Sequence, residues 1–360
     1  MKPLLACATA SLAAALTACG TQTAGESSLT PLQLTDANVA AQIAGAPSGG
    51  ASGFELRTTL PTETPAPAPV WRMPHSTAAD AARVAAALGL PGRPTAIAGG
   101  WVLRYDGQRL AVRSDGGWFY GLDCSPNVPV GQESLDVMCA SASGGGVAVA
   151  PGTPGGLRPT PPPPPSGPTD AQVRALAAPI LTRLGWSDAT LEVAVGSPAT
   201  SVTARRAVAG IATAGWTTTL GFTGNGRLVD GNGIVGEPNQ GRAYPLISAA
   251  RAYQLLLAQP RPMTEVCAVR KDHKPGCAPI PPTVITAATL GLSLRHELGQ
   301  PLLVPTWLFT VKGSSEPIAI IAVDPHWLRP PASVVPRPLP PQSVTPAGPV
   351  SPPGPPSAPK

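Results

Sequence analysis

The fold of the first half of the chain is decided by the stretch WVLRYDGQRLAV, residues 101–112. Large apolar residues alternate with polar or smaller ones on both sides of Asp106-Gly107, which is the spacing of strands that bury one face. Asp-Gly favours the positive φ angles of a tight two-residue turn, so the stretch predicts a β-hairpin. A second turn at Asp115-Gly116-Gly117 leads to another alternating run, with Trp118 and Tyr120 on one face. We expect a three-stranded antiparallel meander.

A short helix is predicted just before this meander. Ser76 or Thr77 can cap its first turn, the interior from Ala78 to Leu88 is mostly alanine, and Gly89 can end it. Because only two of its apolar side chains are large, the helix needs a sheet to pack on. We therefore predict a first α+β unit over residues 71–150.

The same order of elements recurs later in the chain. Thr169 and Gln172 form a capping box at the start of a helix that ends at Gly185. Strands with one apolar face follow at 191–195, 201–208, 216–222 and 227–229. We interpret residues 76–123 and 169–230 as a diverged internal repeat, in which a helix precedes a meander.

The second α+β unit extends beyond this repeat. Ser248 can cap a helix that runs to Leu257, and further strands are predicted at 283–294, 302–311 and 317–323. We place this unit at residues 169–329. The predicted fold class is α+β, with two units that each combine a helix with an antiparallel sheet.

Proline and glycine mark the segments between and around the units. The chain has 48 prolines and 39 glycines among 360 residues, concentrated in a few stretches that cannot bury enough apolar surface to offset the entropy of ordering. We predict a flexible tether over 19–70, a proline-rich linker over 151–168 and a disordered proline-rich tail over 330–360.

The N-terminus carries the pattern of a targeting signal. Lys2 is followed by an apolar run that ends at Leu16, too short for a permanent membrane span and typical of a signal peptide. Leu16-Thr17-Ala18-Cys19 resembles the lipobox of bacterial lipoproteins. The resemblance implies cleavage after residue 18 and a diacylglycerol on Cys19, whose acyl chains hold the protein on the extracytoplasmic face of the cell membrane. The alternative is an ordinary secreted protein.

Four further cysteines remain in the mature chain. They allow three pairings, and outside the cytoplasm thiols tend to be oxidised. The nearest-neighbour pairing joins Cys124 to Cys139 and Cys267 to Cys277 and closes one short loop in each half of the chain. A metal site of Cys267, His273 and Cys277 is the competing idea, but its spacing matches no common zinc pattern. We expect no metal.

Charge and motif spacing exclude several classes of function. The formal net charge of +5 is spread along the chain without a basic stripe, so we expect no nucleic-acid partner. Gly231-Asn232-Gly233-Ile234-Val235-Gly236 has the spacing of a dinucleotide loop, but Glu237-Pro238 follows in place of a helix. We interpret these glycines as a turn, and we expect no cofactor.

One segment is the nearest thing to a catalytic motif. His296-Glu297 lacks the second histidine of a zinc peptidase, because Gln300 stands four residues on. His326 is the other nominee for an envelope hydrolase. The sequence has no nucleophile elbow and singles out no serine that would complete a triad. We therefore assign no catalytic residue and interpret 296–300 as a connection between strands.

The tryptophans allow two interpretations. Trp combines a large apolar area with a hydrogen-bond donor and is favoured at binding sites. Four of the seven alternate along predicted strands, where core packing is the commoner role: Trp101, Trp118, Trp216 and Trp307. We favour core packing and keep a ligand platform as the alternative.

Three short stretches carry a resemblance to known proteins. They are YPLIS at 244–248, VPTWLF at 304–309 and AVDP at 322–325. Together they resemble a group of uncharacterised lipoproteins of high-GC Gram-positive bacteria, whose helix-plus-meander units are similar to PepSY-type extracytoplasmic modules. The resemblance implies a non-catalytic binding or regulatory role in the envelope, with a protein or cell-wall polymer as partner. A hydrolase of cell-wall polymer and a structural spacer are the alternatives.

Overall fold

The computed structural model describes residues 29–35, 53–123, 135, 168–196, 199–259 and 282–329, and the backbone alone at 267–269 and 275–277. The chain divides into two compact units, Met1–Thr30 and Pro31–Lys360, and every helix and strand named below belongs to the second unit. Several expectations fall outside the described residues: the signal peptide at 1–18, the lipidation of Cys19, the Cys124–Cys139 disulfide, the side chains of Cys267 and Cys277 with His273, and the tail at 330–360. The linker at 151–168 does so too, apart from Pro168.

The described residues form three α-helices and a larger number of strands. Helices α1, α2 and α3 span Ala78–Ala87, Asp170–Arg183 and Ala249–Ala258. Strands β1 to β9 span Leu32–Gln33, Phe54–Leu56, Ala68–Arg72, Thr95–Ile97, Gly100–Tyr105, Gln108–Arg113, Gly117–Leu122, Thr190–Ala194 and Ala199–Arg205. Strands β10 to β19 span Thr213–Ala214, Thr217–Thr223, Leu228–Ile234, Asn239–Tyr244, Cys267–Val269, Pro275–Cys277, Thr283–Glu297, Gln300–Val311, Ile318–Ile321 and Leu328–Arg329. The protein is a mixed α+β protein dominated by sheet.

Local signals in the sequence account for the helix ends and the first hairpin. Thr77 and Thr169 each accept a hydrogen bond from the backbone three residues on, which confirms both helix starts. Asp106 and Gly107 have φ angles of 50° and 69°, the conformation that a two-residue hairpin turn demands. These features follow from neighbouring residues alone, which is why the sequence predicts them.

Both helix-plus-meander segments share one antiparallel sheet. Its eight strands lie in the order β4-β5-β6-β7-β12-β11-β9-β8, so the last long strand of each segment meets the other at the centre. Strand β7 pairs with β12, with Gly233 opposite Trp118 and Gly231 opposite Tyr120. The two segments expected to form separate sheets therefore complete a single one.

One hydrophobic core lies between this sheet and the first two helices. Helices α1 and α2 contact each other and the same sheet. Their buried residues, among them Val84, Val173 and Leu181, pack in one cluster with Trp118, Trp216 and other residues of the sheet. The core thus draws on both halves of the chain, and no described boundary separates them.

A second sheet is built on the long hairpin β16–β17. Strands β10-β16-β17-β3-β13 run side by side, β2 pairs with β16, and β18 pairs with β17. Helix α3 packs near β18, with the rings of Tyr253 and Phe309 6.1 Å apart. Leu292 and Leu303 of the hairpin belong to the cluster that also holds the eight-stranded sheet, so the second sheet closes the same core.

The interval expected to be a flexible tether contains ordered strands. Within 19–70, β1 pairs with β19, β2 pairs with β16, and β3 begins at Ala68. Each of these partners lies more than a hundred residues away in the chain. The residues around each strand therefore give no sequence signal of the pairing. The expectation of a tether is wrong for these strands.

The glycine stretch at 231–236 also differs from its interpretation as a turn. Residues 231–234 are the second half of strand β12. Gly231 and Gly233 lie under the indole of Trp118: a Cβ at Gly233 would be 2.9 Å from its Nε1 and 2.6 Å from Thr218 Oγ1. The glycines are required by this close approach and not by a turn.

The three described helices are short and of mixed polarity. None of them has both the length and the apolar character that crossing a bilayer would require.

Candidate functional site

A polar cleft of about 400 Å³ lies where three elements converge. The start of α1, the end of α2 and the segment that leaves β12 form its walls, and it is lined among others by His75, Ser76, Arg183 and Glu237. Other cavities also lie among the described residues. A groove of about 660 Å³ beside the start of α2 has no charged side chain in its lining, and one of about 450 Å³ lies near His296.

The turn between β6 and β7 positions one wall of the cleft. The Ser76 amide donates to the Ser114 carbonyl at 2.9 Å, and the Val235 amide donates to the Gly116 carbonyl at the same distance. Both chain segments are therefore tied to one tight turn of the eight-stranded sheet. These hydrogen bonds join the wall to the sheet.

The end of α2 forms the opposite wall. Its last residues, Thr182 and Arg183, and its cap Leu184 line the cleft, and Gly185 ends the helix with a φ of 82°. A left-handed residue after a helix is the common way to turn the chain away. The guanidinium of Arg183 lies in the last turn, where the helix dipole favours a positive charge.

The two carboxylates of the cleft each form an ion pair. Asp80 Oδ1 lies 2.9 Å from the Arg83 guanidinium, and its other oxygen accepts from the Thr77 amide at 2.9 Å. Glu237 Oε1 lies 2.6 Å from Arg206. Each carboxylate therefore has a cation within ion-pair distance.

Arg206 is held in turn by a buried aromatic pair. Its guanidinium lies 5.8 Å from the ring centre of Trp186 and 5.6 Å from that of Trp216, within the range of a cation–π contact. It also pairs with Asp188 at 2.9 Å. Arg206 therefore links Glu237, at the edge of the cleft, to the hydrophobic core.

Two hydrogen-bond donors of the cleft have no partner among the described residues. Ser76 is only 9% exposed, and its hydroxyl has no hydrogen-bond partner in the part of the chain that the structure describes. Arg183, which is exposed, makes no ion pair with another described residue. A buried hydroxyl without a partner costs free energy, so its presence in a cleft that is also lined by the Arg183 guanidinium favours a ligand rich in hydrogen-bond acceptors.

The tryptophans singled out in the sequence lie elsewhere. Trp118, Trp216 and Trp307 are buried, which confirms core packing, and Trp307 Nε1 donates to the Ile247 carbonyl at 2.9 Å. Trp101 is half-buried against the same core. A ligand platform does not fit the three buried rings.

The nominated hydrolase residues are engaged in structure or exposed. The Glu297 carboxylate pairs with Arg72 and accepts from the Gln33 amide at 3.0 Å. His296 and His326 are exposed, and the His326 ring lies edge-on to Trp327. Residues 298 and 299 connect two strands, as expected for 296–300. Among the described residues, no group of three potential ligands could hold a metal ion.

Sequence reasoning missed the residues of the cleft. The sequence indicates Ser76 only as a helix cap, a role that Thr77 takes, and Arg183 and Glu237 carry no motif. They converge through the pairing of strands from the two halves of the chain. A single sequence offers no signal for that convergence.

Comparisons with known proteins leave the chain without a family. No protein-family model matches it, and no curated protein matches it. A crystal structure of an uncharacterized protein from Eubacterium rectale is similar over 80% of this chain and 95% of that one, at 9% sequence identity and a TM-score of 0.31. A likeness of this size assigns neither fold nor activity, so the proposals below rest on the chain's own residues.

Proposed function

We propose that this protein is a non-catalytic binding module of the cell envelope, anchored to the extracytoplasmic face of the membrane through Cys19. Its cleft takes the carboxylate end of an envelope protein or cell-wall peptide. The observation that carries the proposal is a cleft that holds the buried hydroxyl of Ser76 and the guanidinium of Arg183, neither of which has a partner among the described residues. An arginine guanidinium binds carboxylates through charge-assisted hydrogen bonds, and a serine hydroxyl can donate one more.

The cysteines support an extracytoplasmic location. Cys267 and Cys277 lie directly opposite each other in the antiparallel pair β14–β15. Residues opposite each other in such a pair have their Cα atoms about 4.5–5.5 Å apart, which is within the range of a disulfide. We propose that Cys267 and Cys277 form a disulfide, that Cys124 and Cys139 form another, and that the signal peptide is cleaved after residue 18. All three are features of a secreted protein.

The two helix-plus-meander segments are proposed to act as one binding body. The cleft draws its residues from α1 of the first segment and from α2 and the exit of β12 in the second. The proline-rich linker at 151–168 then joins two halves of a single site. This differs from two modules that bind independently.

Photo-crosslinking in the native membrane tests the proposal. Thr182, which lines the cleft, is replaced by p-benzoylphenylalanine in the full lipidated chain, and captured species are identified by mass spectrometry. We expect one reproducible envelope protein or wall peptide. Arg183→Gln should reduce its capture strongly, because a charge-assisted hydrogen bond is lost.

Two variants sharpen this test. Arg251→Gln removes the same charge from an exposed position on α3 and should leave capture unchanged. Ser76→Ala should raise the free energy of unfolding by about 1 kcal/mol, since it removes an unpartnered buried hydroxyl, and yet lower capture. Capture that is equal in wild type, Arg183→Gln and Ser76→Ala would refute the cleft as the site.

The alternatives make different predictions. A cell-wall hydrolase that used His296 and Glu297 would lose activity in the double alanine variant, whereas the binding module would keep its partner. A structural spacer would capture nothing specific, and its role would survive changes in the cleft. No described geometry favours either alternative.

A further inference from the structure

Strand β13 begins at the cleft and lies at one edge of the second sheet. Its first residue, Asn239, lines the cleft, and residues 239–243 are exposed. In the strand order β10-β16-β17-β3-β13 it pairs with β3 on one side, and no described strand pairs with its other side. A strand edge therefore leads away from the site that is proposed to hold a carboxylate.

The hydrogen bonds of β3 show which groups of β13 point outward. The Met73 amide donates to the Pro301 carbonyl of β17 at 3.2 Å. Because successive strand residues direct their backbone groups to alternate sides, those of Trp71 also face β17, and those of Arg72 face β13. Gln240 lies opposite Trp71, in a pair that exchanges no hydrogen bonds. The N–H and C=O of Gln240 therefore point away from β3, toward the edge.

A β-bulge shortens this edge. The register of β13 against β3 shifts between Gln240 and Ala243. A Cβ at Gly241 would lie 2.9 Å from the carbonyl oxygen of Val70, so the two backbones approach closely at the bulge. Bulges at sheet edges limit uncontrolled pairing with other chains. A strand that adds here forms few main-chain hydrogen bonds, so it needs a second point of attachment.

The cleft supplies that second point. It holds the buried Ser76 hydroxyl, which has no partner among the described residues, and the Arg183 guanidinium. Asn239 belongs to both the cleft and β13, so a ligand in the cleft is continuous with the edge. A carboxylate bound there lies at the end where β13 begins. A peptide that ends in this carboxylate and follows the edge must therefore run antiparallel to β13.

We infer that the partner binds by strand addition, with its C-terminal carboxylate in the cleft and the preceding residues paired antiparallel with β13. This inference rests on the proposed function, because the carboxylate in the cleft sets the register. In this binding mode main-chain hydrogen bonds supply affinity. Strand pairing needs several consecutive main-chain amides, which favours the extended C-terminal segment of an envelope protein over a shorter cell-wall peptide.

Two photo-crosslinking positions test the binding mode. Thr182 in the cleft or Ala243 on β13 is replaced by p-benzoylphenylalanine in the full lipidated chain, in its native membrane. Mass spectrometry then maps the crosslinked residue of the captured species. We expect the same envelope protein from both positions. The crosslink from Thr182 should lie at its last residues, and the crosslink from Ala243 several residues earlier, as the antiparallel direction requires.

A pair of substitutions at Gln240 tests the main-chain hydrogen bond. Gln240→Pro removes the outward N–H, and an edge strand tolerates proline where that N–H faces solvent, so the variant should fold with little change in Tm. Capture from Thr182 should fall by about three- to tenfold, since one hydrogen bond is lost. Gln240→Ala removes the side chain, keeps the amide and should leave capture unchanged.

The outcomes separate the inference from the proposed function. Capture from Thr182 that is unaffected by Gln240→Pro, or that has no counterpart from Ala243, would overturn strand addition while the cleft stands. A crosslink from Ala243 to this same chain would also overturn it, because the edge is then covered internally. If Thr182 captures nothing, the proposed function and the inference both fail. The order of the two crosslinks tests the inference even if the proline variant does not fold.

Discussion

At the scale of single residues, Gly233 shows how one hydrogen atom in place of a side chain allows the sheet to close. A Cβ at this position would lie 2.6 Å from Thr218 Oγ1 and 2.9 Å from Trp118 Nε1, and both partners are buried. Overpacking of this kind costs about 1–3 kcal/mol. We expect Gly233→Ala to lower the free energy of unfolding by that amount in urea titrations.

Gly117, on the neighbouring strand, provides the control. It pairs with Ile234, and the nearest contact of an added Cβ would be the flexible side chain of Asp115 at 3.2 Å. Gly117→Ala should change stability by no more than about 0.5 kcal/mol. Equal losses in the two variants would show that general sheet propensity, and not the indole, restricts Gly233.

Asp230 gives the fold a pH dependence of a definite sign. It lies opposite Gly221 in β12, and burial raises the pKa of its carboxyl above the ordinary 3.8. The folded state therefore binds this proton more tightly than the unfolded state, so the stability from this group falls as pH rises from the unfolded to the folded pKa.

The variant Asp230→Asn tests this dependence. It removes the cost of a partly buried charge and should be more stable than wild type at neutral pH. The difference should vanish below about pH 3, where Asp230 is protonated in both states. Urea titrations of both proteins across this range measure it, and a difference that grows on acidification would contradict the assigned direction.

These residues also show which features of the fold can be predicted from the sequence. Asp106-Gly107 was predictable because its conformation depends on its own two residues. The glycines at 231 and 233 were not, because their reason is Trp118, more than a hundred residues earlier in the chain. Ser76 and Arg183 of the cleft fall in the second class.

At the scale of elements, the sequence predicted the helices but not the short strands. A capping residue and apolar spacing lie within the helix that they specify, as at Thr169. Strand β1 has two residues, and its amide contact to Glu297 spans 264 positions. Its neighbours are rich in threonine and glycine, which favoured the interpretation as a tether.

Strand β1 should behave as a strap that opens separately. Leu34 is fully buried, and removing a buried leucine costs about 2–5 kcal/mol, enough to undock an element this short. We expect Leu34→Ala to speed amide hydrogen exchange at Gln33 and Thr35 while the eight-stranded sheet stays protected.

Leu122→Ala is the control for the strap, since this leucine is 62% exposed at the end of β7. It should leave exchange at Gln33 and Thr35 unaltered. If Leu34→Ala instead lowers protection throughout the sheet, β1 is part of the global unfolding unit and not a strap.

At the scale of the whole molecule, the sequence showed two similar segments but not how they join. The pattern of apolar residues predicts which face of a strand is buried, but it does not predict which strand lies at the edge of the sheet. The pairing of β7 with β12 gives the edge strand of each meander a hydrogen-bonded partner. Unpaired strand edges favour aggregation. Joining the meanders is therefore a physical solution that neither segment displays alone.

A shared sheet and a shared core predict one cooperative unfolding transition for both halves. Leu110 on β6 and Leu220 on β11 belong to different segments and to the same core cluster. Leu110→Ala and Leu220→Ala should each cost about 2–5 kcal/mol and lower the same calorimetric Tm. Hydrogen exchange should report the loss in both halves, because neither half keeps its core when the other opens. Two transitions, each moved by only one of the substitutions, would instead establish two independent units and return the linker at 151–168 to the role of a domain boundary.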